Sequence, residues 1–443
     1  MWLTNPYSNT GMATRIIGCG AAGLSACSAT ASGVFNADPT KQPILSGTTP
    51  AANVDFIQKG LGQPSVWKMN LAYDAELPFF GMNFGVEWVY TKVQTGIYYQ
   101  HLNLGDPTKT GPDGRSLYYT PQSYQEGCWN PNGSLITANV PAAGTTPAVT
   151  CAGGRSRALS NVNYNNVTQA TKTKKGDGNA ITLSFQRPAR DGFGFGVAYT
   201  YTEASEVSPL TSSVANSNFN SRAVFNPNEN VAANSAYMIR DRVTANVTWQ
   251  KAFISNLKTS VGLFWEGRKG KPYSWTYLND MNGDGVAGND LLYIPASRGA
   301  PGVKFATPAD EAAFWNIVDN NPDLAKYKGA VVPRNSSFSQ FVNSFDLRLS
   351  QEVPGFFPQH KGKVTFDILN IGNLLNKKWG RIDEVTFQSA GGNRRSFVNF
   401  AGIDAAGNYV YRTNANAIND NLAIRQVKGE SQWAIQVTAA YEF

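Results

Sequence analysis

Histidine, cysteine and long apolar runs are scarce in this sequence of 443 residues. Only two histidines and four cysteines are present, so we expect neither a metal centre built on histidine nor a Ser/His/Asp catalytic arrangement. No stretch approaches the ~20 consecutive apolar residues that a membrane-spanning helix needs. The composition therefore argues against an enzyme and against a helical membrane protein.

Charge is also sparse, at 16% of residues, with a net charge of +7. KTKK at Lys172–Lys175 is the only dense basic cluster; it is typical of a solvated loop, and no nucleic acid is expected as a partner. The first residues, MWLTNPYSNTGMATRIIG, lack the basic head, apolar stretch and cleavage site of a secretory signal. Either the protein is cytoplasmic, or this Met is not the natural start.

The four cysteines form two close pairs, Cys19 with Cys27 and Cys128 with Cys151, all in sequence rich in Gly, Asn, Ser and Thr. Their spacing matches no zinc-site pattern. Two loop disulfides are the simplest interpretation, and they imply an oxidising compartment.

Alternation of apolar and polar residues is the strongest pattern in the chain. In SVWKMNLAYD, the apolar residues Trp67, Met69 and Leu71 fall on one face. The same period recurs in NFGVEWVY, ITLSFQ, FGFGVAYTY, DRVTANVTW, SVGLFWEG, SFDLRLSQ, KVTFDILN and SQWAIQVTAAYEF. Because such alternation is typical of strands with one apolar face, we predict nine strands.

The connections between these segments alternate between short and long. Short ones occur at Leu77–Met82, Arg187–Gly192, Lys251–Asn256 and Val353–His360, and long polar ones occupy roughly Leu102–Asn179, Glu203–Arg240, Arg268–Phe341 and Ile371–Glu430. Tight turns at one end and large loops at the other are typical of an outer-membrane β-barrel. An interfacial aromatic girdle near the turns would comprise Phe79, Phe80, Phe193, Phe253, Phe356 and Phe357. A soluble β-sandwich also alternates, but its loops seldom reach such lengths on one side only.

Nine is an odd number of strands, whereas a complete bacterial barrel of one chain has an even number. An extra hairpin in the last long connection would make eleven, which is still odd. We therefore expect an all-β fold, a transmembrane antiparallel β-barrel that is incomplete and has about 9–11 C-terminal strands. Residues 1–64 would form a loop region and residues 65–443 the barrel portion with long extracellular loops. Its first strand would have an unpaired edge facing lipid, so we expect that the chain alone does not insert as a stable closed barrel.

NDMNGDGVAGND at Asn279–Asp290 resembles the opening of a calcium loop. Asp280, Asn282 and Asp284 place oxygen ligands at alternate positions before Gly285. The twelfth position is not Glu, so Asp290 would take part only if the loop closed differently, and no helix pair of an EF-hand flanks the segment. Two hypotheses stay open: a structural calcium ion held by Asp280, Asn282, Asp284 and Asp290, or a run of turns stiffened by side-chain hydrogen bonds to the backbone.

Three other patterns have a structural interpretation. GCGAAG at Gly18–Gly23 matches the dinucleotide-binding fingerprint, but no βαβ alternation surrounds it, and we expect a small loop closed by a Cys19–Cys27 disulfide. TPADEAAFWNIV predicts a short helix over Thr307–Val318, capped by Thr307 and packing Phe314 and Ile317 onto the loop surface. Charges that would face the barrel lumen, rather than form a catalytic site, are Lys68, Asp74, Glu87, Asp346, Arg348 and Asp367.

Several segments resemble TonB-dependent outer-membrane receptors, particularly the Oar-like group. They are FDILNIGNLLNKKWG at Phe366–Gly380, the overlapping FDLRLSQEVPGFFPQHKGKVTFDILN, WEGRKGKPYS at Trp265–Ser274, and NDMNGDGVAGNDLLYIP. The terminal AYEF is similar to the aromatic strand that the barrel-assembly machinery recognises, with Tyr441 and Phe443 as its signal. The resemblance covers about Asn53 to Phe443.

This resemblance implies a barrel of about 22 strands with an N-terminal plug, which imports a ligand across the Gram-negative outer membrane. A plug, a TonB box and the first half of the barrel are not recognisable in the sequence, so the TonB complex would act only through a missing N-terminal part. Lipid would contact the barrel, and the small ligand would be a siderophore, a carbohydrate or a peptide. The alternative is a structural or adhesive surface protein whose barrel is only an anchor; an outer-membrane protease or lipase is a third hypothesis.

Overall fold

A meander of nine antiparallel strands dominates the computed structural model, which describes residues 38, 40, 51–138, 151, 153–385, 393–414, 425–426 and 430–443. The strands are β1 (Ser65–Glu76), β2 (Asn83–His101), β3 (Asp177–Arg190), β4 (Phe193–Glu206), β5 (Asp241–Ile254), β6 (Leu257–Arg268), β7 (Val342–Pro354), β8 (Lys361–Leu369) and β9 (Ala434–Glu442). Each alternating segment of the sequence forms one of these strands, and each strand pairs with the next. The all-β prediction is confirmed.

Three shorter additions widen this sheet at the end where the long connections lie. The strand Tyr164–Thr173 pairs antiparallel with the last residues of β2. The strand Ala52–Ile57 pairs in parallel with Tyr164–Thr173. Ala233–Asn234 pairs with the end of β4. The region over residues 1–64, expected to be loop, thus contains one strand.

Three of the four predicted tight turns are shorter than expected, because β3, β5 and β7 extend to Arg190, Ile254 and Pro354. β3 and β4 are joined by Asp191 and Gly192 alone, whose φ angles are 54° and 80°. A type I′ two-residue hairpin turn requires positive φ at both of its central residues. Pro188 lies within β3, and the sheet accommodates this proline at a bulge, where the register shifts between Arg187 and Arg190.

The sheet is open in the described part of the chain. There, β1 pairs only with β2, and β9 only with β8, so no closed barrel forms among these residues. Because the meander has nine antiparallel strands, an odd number, its first and last strands, β1 and β9, run in the same direction. The unpaired edge expected at the first strand is present.

The pairing registers give the sheet one apolar face and one polar face. Two rows of paired apolar residues cross the apolar face. The first runs from β1 to β7 through Ala75, Phe84, Phe185, Val197, Ala245, Trp265 and Phe345. The second runs from β4 to β9 through Phe195, Val247, Leu263, Leu347, Ile368 and Ile435. The opposite face carries the six charged residues predicted to face a lumen, and Arg348 there donates to both carboxylate oxygens of Asp367, at 2.6 and 3.0 Å. The apolar face is open, since Leu71 is 68% exposed and Val437 is 58% exposed.

The long connections fold together at the other end of the strands. We call this unit the loop domain, meaning the described residues within 102–176, 207–240, 269–341 and 370–433. Its short strands are Lys109–Thr110, Ser116–Leu117, Pro272–Thr276, Tyr293–Ile294, Val303–Phe305, Ala330–Val331, Ser337–Phe338, Asp383–Glu384, Arg394–Ser396, Val398–Ile403, Tyr409–Thr413 and Arg425–Gln426. Its core is aromatic, and buried members include Tyr119, Trp129, Trp275, Tyr277, Phe314, Trp315, Phe397, Phe400, Tyr409 and Tyr411. Loops that the sequence treated as separate therefore share one core.

Helices are few and lie in the loop domain. They are α1 (Ala215–Asn220), α2 (Pro308–Asp319), α3 (Pro322–Ala325) and α4 (Ile371–Leu375), with 3₁₀ turns at Leu102–Leu104, Pro121–Tyr124 and Glu126–Cys128. α2 confirms the predicted helix, and the Thr307 side chain accepts a hydrogen bond from the Asp310 amide, at 3.1 Å. The predicted packing of Phe314 and Ile317 against neighbouring connections is also confirmed, since Phe314 is buried in the aromatic core and Ile317 packs against it. The burial of Trp315 in the same core was not predicted.

Candidate functional site

The segment Asn279–Asp290 is a series of tight turns inside the loop domain. Asp280 accepts hydrogen bonds from the amides of Gly283 and Gly285, at 2.7 and 2.8 Å. Asn282 accepts one from the Asp284 amide, and Asp284 one from the Val286 amide. The predicted turns stiffened by side chains are therefore confirmed, and they leave the calcium hypothesis open.

Asp290 closes this segment into a loop. Its Oδ2 accepts from the amides of Met281 and Asn282, at 2.9 and 3.3 Å, which joins the end of the segment to its start. The structure thus brings all four predicted ligand residues into one small loop. Asn282, Asp284 and Asp290 are at most 1% exposed, a burial that the polar sequence did not suggest.

Burial makes the three carboxylic acids of the loop weak acids. It raises the pKa of Asp284 to about 6, and burial together with the charge of Asp284 raises the pKa of Asp290 to about 7. Burial, followed by the charges of Asp284 and Asp290, also raises the pKa of Asp280 well above its usual range. The three groups are close enough to repel one another when ionised.

An arginine from a distant part of the sequence lies against the loop. Arg115 is fully buried, with Nη1 3.4 Å from Asp290 Oδ1 and Nε 3.3 Å from Asp113 Oδ2. Tyr409 donates its hydroxyl hydrogen to the other oxygen of Asp113, at 2.6 Å. Asp290 and Tyr409 lie in long connections other than that of Asp113 and Arg115, and no spacing rule relates them, so sequence reasoning missed this network.

Two buried amides of the loop have unused hydrogen-bonding groups. Asn289 Nδ2 donates to Asp284 Oδ2 at 3.1 Å, while Asn289 Oδ1 and Asn282 Nδ2 are buried with no hydrogen-bond partner. In the described part of the chain, no three His, Cys, Asp or Glu side chains are grouped as a metal site. Any ion in this loop would therefore depend on amide or carbonyl oxygens as well as carboxylates.

One of the two predicted disulfides is present. Cys128 and Cys151 are bonded and buried, and they pack against Leu135 and Ile136. Cys19 and Cys27 lie outside the described residues, as does the GCGAAG segment at Gly18–Gly23. The Cys128–Cys151 bond fixes part of the first long connection against the aromatic core.

Two cavities open on the loop domain. One, of about 490 Å³, is polar, and its walls include Lys109, Tyr124, Gln125 and Glu126. The other, of about 330 Å³, is lined mainly by apolar residues, and Glu229 and Arg334 also contribute to its walls. Sequence patterns gave no sign of either cavity, because their walls come from separate connections.

The predicted assembly signal lies at the C-terminal edge of the sheet. Tyr441 accepts a hydrogen bond at its hydroxyl from the Phe356 amide, at 3.0 Å, and lies 3.1 Å from His360 Nδ1. Phe443 is 97% exposed. The two aromatics therefore border the tight turn between β7 and β8, at the end of the sheet opposite the loop domain.

No helix within the described ranges is both long enough and apolar enough to cross a membrane. The sequence matches no protein-family model and no curated protein sequence.

Proposed function

We propose that this chain is part of an outer-membrane receptor barrel that takes up a ligand with energy from the TonB complex, as its resemblance to Oar-like receptors implies. The unbroken apolar face of the nine-strand sheet is the main support. Apolar side chains occupy that face on every strand from β1 to β9 and are exposed there. In water such a face is unfavourable by roughly 25 cal/mol per Å², whereas lipid would cover it without cost.

Strand length and residue placement fit a membrane location. The nine strands have between 9 and 19 residues, and a spanning strand needs about 9–11. Exposed phenylalanines gather at the turn end, where Phe80 is 79% exposed and Phe356 is 90% exposed. The polar face would line the barrel lumen, and the loop domain would lie outside the cell.

The partners follow from this arrangement. Outer-membrane lipid would cover the apolar face, and the barrel-assembly machinery would bind the strand that ends in Tyr441 and Phe443. As the resemblance implies, the TonB complex would act through a plug and a TonB box of the receptor. The ligand would be a siderophore, a carbohydrate or a peptide.

Adjacent residues on β6 provide a matched test of the lipid-facing surface. Leu263 and Phe264 are 39% and 41% exposed, but Leu263 opposes Leu347 on the apolar face and Phe264 opposes Asp346 on the polar face. In the complete receptor of which this chain would be part, refolded into lipid vesicles, Leu263→Lys should lower the free energy of unfolding by about 2–4 kcal/mol. Phe264→Lys should have a much smaller effect. Urea titration monitored by tryptophan fluorescence measures both.

Equal effects of the two lysines, or a chain that folds fully in buffer without lipid, would contradict a membrane location.

A second assay separates the receptor from an adhesive anchor. Cells that carry the protein in its outer-membrane context are given labelled siderophore, oligosaccharide and peptide probes, with and without TonB. A receptor predicts TonB-dependent uptake of one probe, whereas surface binding of every probe that is unchanged without TonB would favour the adhesive alternative.

A further inference from the structure

We propose that the apolar cavity of the loop domain binds a small carboxylic acid, whose apolar body fills the cavity and whose carboxylate pairs with Arg334. This inference concerns the loop domain and does not depend on the receptor function. The cavity has a volume of about 330 Å³, and small-molecule sites in proteins range over ~300–1,000 Å³. Such sites combine mostly apolar walls with a few polar groups that orient the ligand.

The walls of this cavity are formed by two long connections that backbone hydrogen bonds hold together. They are apolar except for one acid and one arginine. Leu291 in the wall is 5% exposed, and its amide donates to the Val224 carbonyl oxygen, at 2.9 Å. Val331, also in the wall, pairs with Tyr293 in a short antiparallel ladder. The cavity is therefore formed before a ligand enters, so little ordering of the chain opposes binding.

Arg334 is the independent indication of an anionic ligand. It lines the cavity, is only 6% exposed, and donates from Nη2 to the carbonyl oxygens of Glu206 and Val231, at 2.6 and 3.2 Å. Among the described residues, its Nε and Nη1 donate to no acceptor, and it forms no ion pair. Since a guanidinium carries five N–H donors, several remain for a ligand.

Nearby acids balance the charge of Arg334 only in part. Burial lowers the pKa of Arg334, and the charges of Glu229 and Glu206 oppose this effect without cancelling it. Burial also raises the pKa of Glu206, which favours its neutral form. Glu229 accepts hydrogen bonds from the amides of Phe225 and Asn226, each at 3.1 Å, so its two oxygens are engaged by the backbone rather than by the arginine.

A second buried arginine adds to the positive charge. Arg222 has a buried Nη1 without a hydrogen-bond partner, and burial, followed by the charge of Arg334, lowers its pKa to about 10. Buried charges are normally paired, and a carboxylate can accept two parallel hydrogen bonds from a guanidinium. A larger anion such as phosphate would bury further oxygens against apolar walls, which is costly. A carboxylate on an apolar body therefore fits both the walls and the charge.

Titration of the full chain in detergent with three probes of similar size tests the proposal. The probes are phenylbutyrate, phenylbutanol and phenylbutylamine, which differ in the charge of the end group. Phenylbutyrate should bind with Kd at or below about 1 mM and at least about tenfold more tightly than the alcohol, because hydrogen bonds to charged groups are the stronger ones. The amine should bind most weakly. Saturation-transfer NMR measures all three, after subtraction of the signal from empty micelles.

Two substitutions separate the charge of the site from its shape. Arg334→Met removes the guanidinium but keeps a long side chain, so it should weaken phenylbutyrate binding by at least about tenfold and leave phenylbutanol binding unchanged. A purely structural role of Arg334 would instead weaken both probes alike. Ala232→Phe places a ring in the cavity, whose wall includes Ala232, and should abolish binding of all three probes.

Arg395→Met is the matched control. Arg395 is also buried in the loop domain, where it lies over the ring of Tyr273 at 5.0 Å, and it is not part of the cavity wall. Its replacement should leave the affinities for all three probes unchanged. The proposal is overturned if the wild type binds none of the probes, if it binds the alcohol or the amine as tightly as the carboxylate, or if folded Arg334→Met retains the preference for the carboxylate. The comparison of the three probes on the wild type decides even if a variant fails to fold.

Discussion

The sheet and the loop domain have opposite distributions of apolar side chains. Trp67 in the sheet is 68% exposed, while Trp275 in the loop domain is fully buried. The sheet is a single layer with an exposed apolar face, whereas the loop domain has a buried aromatic core. The same types of side chain therefore lie on the surface in one region and in the interior in the other.

The two regions also differ in the range of the contacts that form them. In the sheet, each strand pairs with the next one along the meander, so strand order follows chain order. In the loop domain, decisive contacts join remote positions, as with Arg115 and Asp290 or Tyr277 and Tyr411. Stability of the loop domain should consequently depend on single buried residues more strongly than stability of the sheet does.

The largest expected effect comes from replacing a buried tryptophan. Trp275 packs against the ring of Phe397 and donates its indole hydrogen to Ser337 Oγ, at 3.0 Å. Trp275→Ala should lower the free energy of unfolding of the loop domain by about 3–5 kcal/mol. Trp67→Ala, on the exposed face of β1, should cost roughly 1 kcal/mol or less in detergent.

Urea titration monitored by near-ultraviolet circular dichroism, which reports on packed aromatics, measures both changes. Similar losses in the two variants would contradict the difference between sheet and loop domain, since they would mean that Trp67 is covered by protein or that Trp275 is not part of a packed core.

A pH effect of intermediate size is expected where β2 enters the loop domain. His101 is buried, with Nε2 3.0 Å from Arg157 Nη1 and 3.2 Å from Asn166 Oδ1. Burial, followed by the charge of Arg157, lowers the pKa of His101 to about 4. In the unfolded chain this pKa is about 6.5.

Between these two pKa values the unfolded chain binds a proton at position 101 that the folded chain does not. Stability therefore falls as the pH drops from about 6.5 to 4, by up to about 3 kcal/mol. The buried acids Asp284 and Asp290 act in the opposite direction, because their raised pKa values favour the folded state at low pH. The free energy of unfolding is measured against pH for the wild type and for His101→Gln, and the difference between the two curves removes the contribution of the acids. A difference that does not change with pH would show that His101 is accessible to protons in the folded state.

Sequence patterns predicted the sheet well because period-two alternation is a local property. The nine segments, their order and the contrast between short and long connections all follow from residues close together in the chain. Three turn ends were misplaced, because β3, β5 and β7 continue to Arg190, Ile254 and Pro354, and the shorter strands added to the sheet were not predicted. The register shifts near the ends of β3 and β5, and no local rule predicts such a bulge.

The candidate site was predicted in part. Alternate oxygen-bearing residues before a glycine identified Asp280, Asn282 and Asp284, and the turns between them are present. The role of Arg115 was not predictable, because it depends on how separate connections pack together. The same limit explains why the burial of Trp315 in the aromatic core was not predicted.

The smallest expected effect concerns the cap of α2, the helix that local sequence did predict. The Thr307 hydroxyl oxygen accepts from the Asp310 amide and is exposed, so Thr307→Ala should cost about 0.5–1 kcal/mol. Thr307→Ser retains the cap and should restore most of that stability. Because Phe314 and Trp315 anchor the helix in the aromatic core, the helix should stay folded in both variants, and hydrogen exchange at the Asp310 amide should accelerate only in Thr307→Ala. Loss of the whole helix in Thr307→Ala would mean that local capping, rather than burial among distant connections, decides the structure of the loop domain.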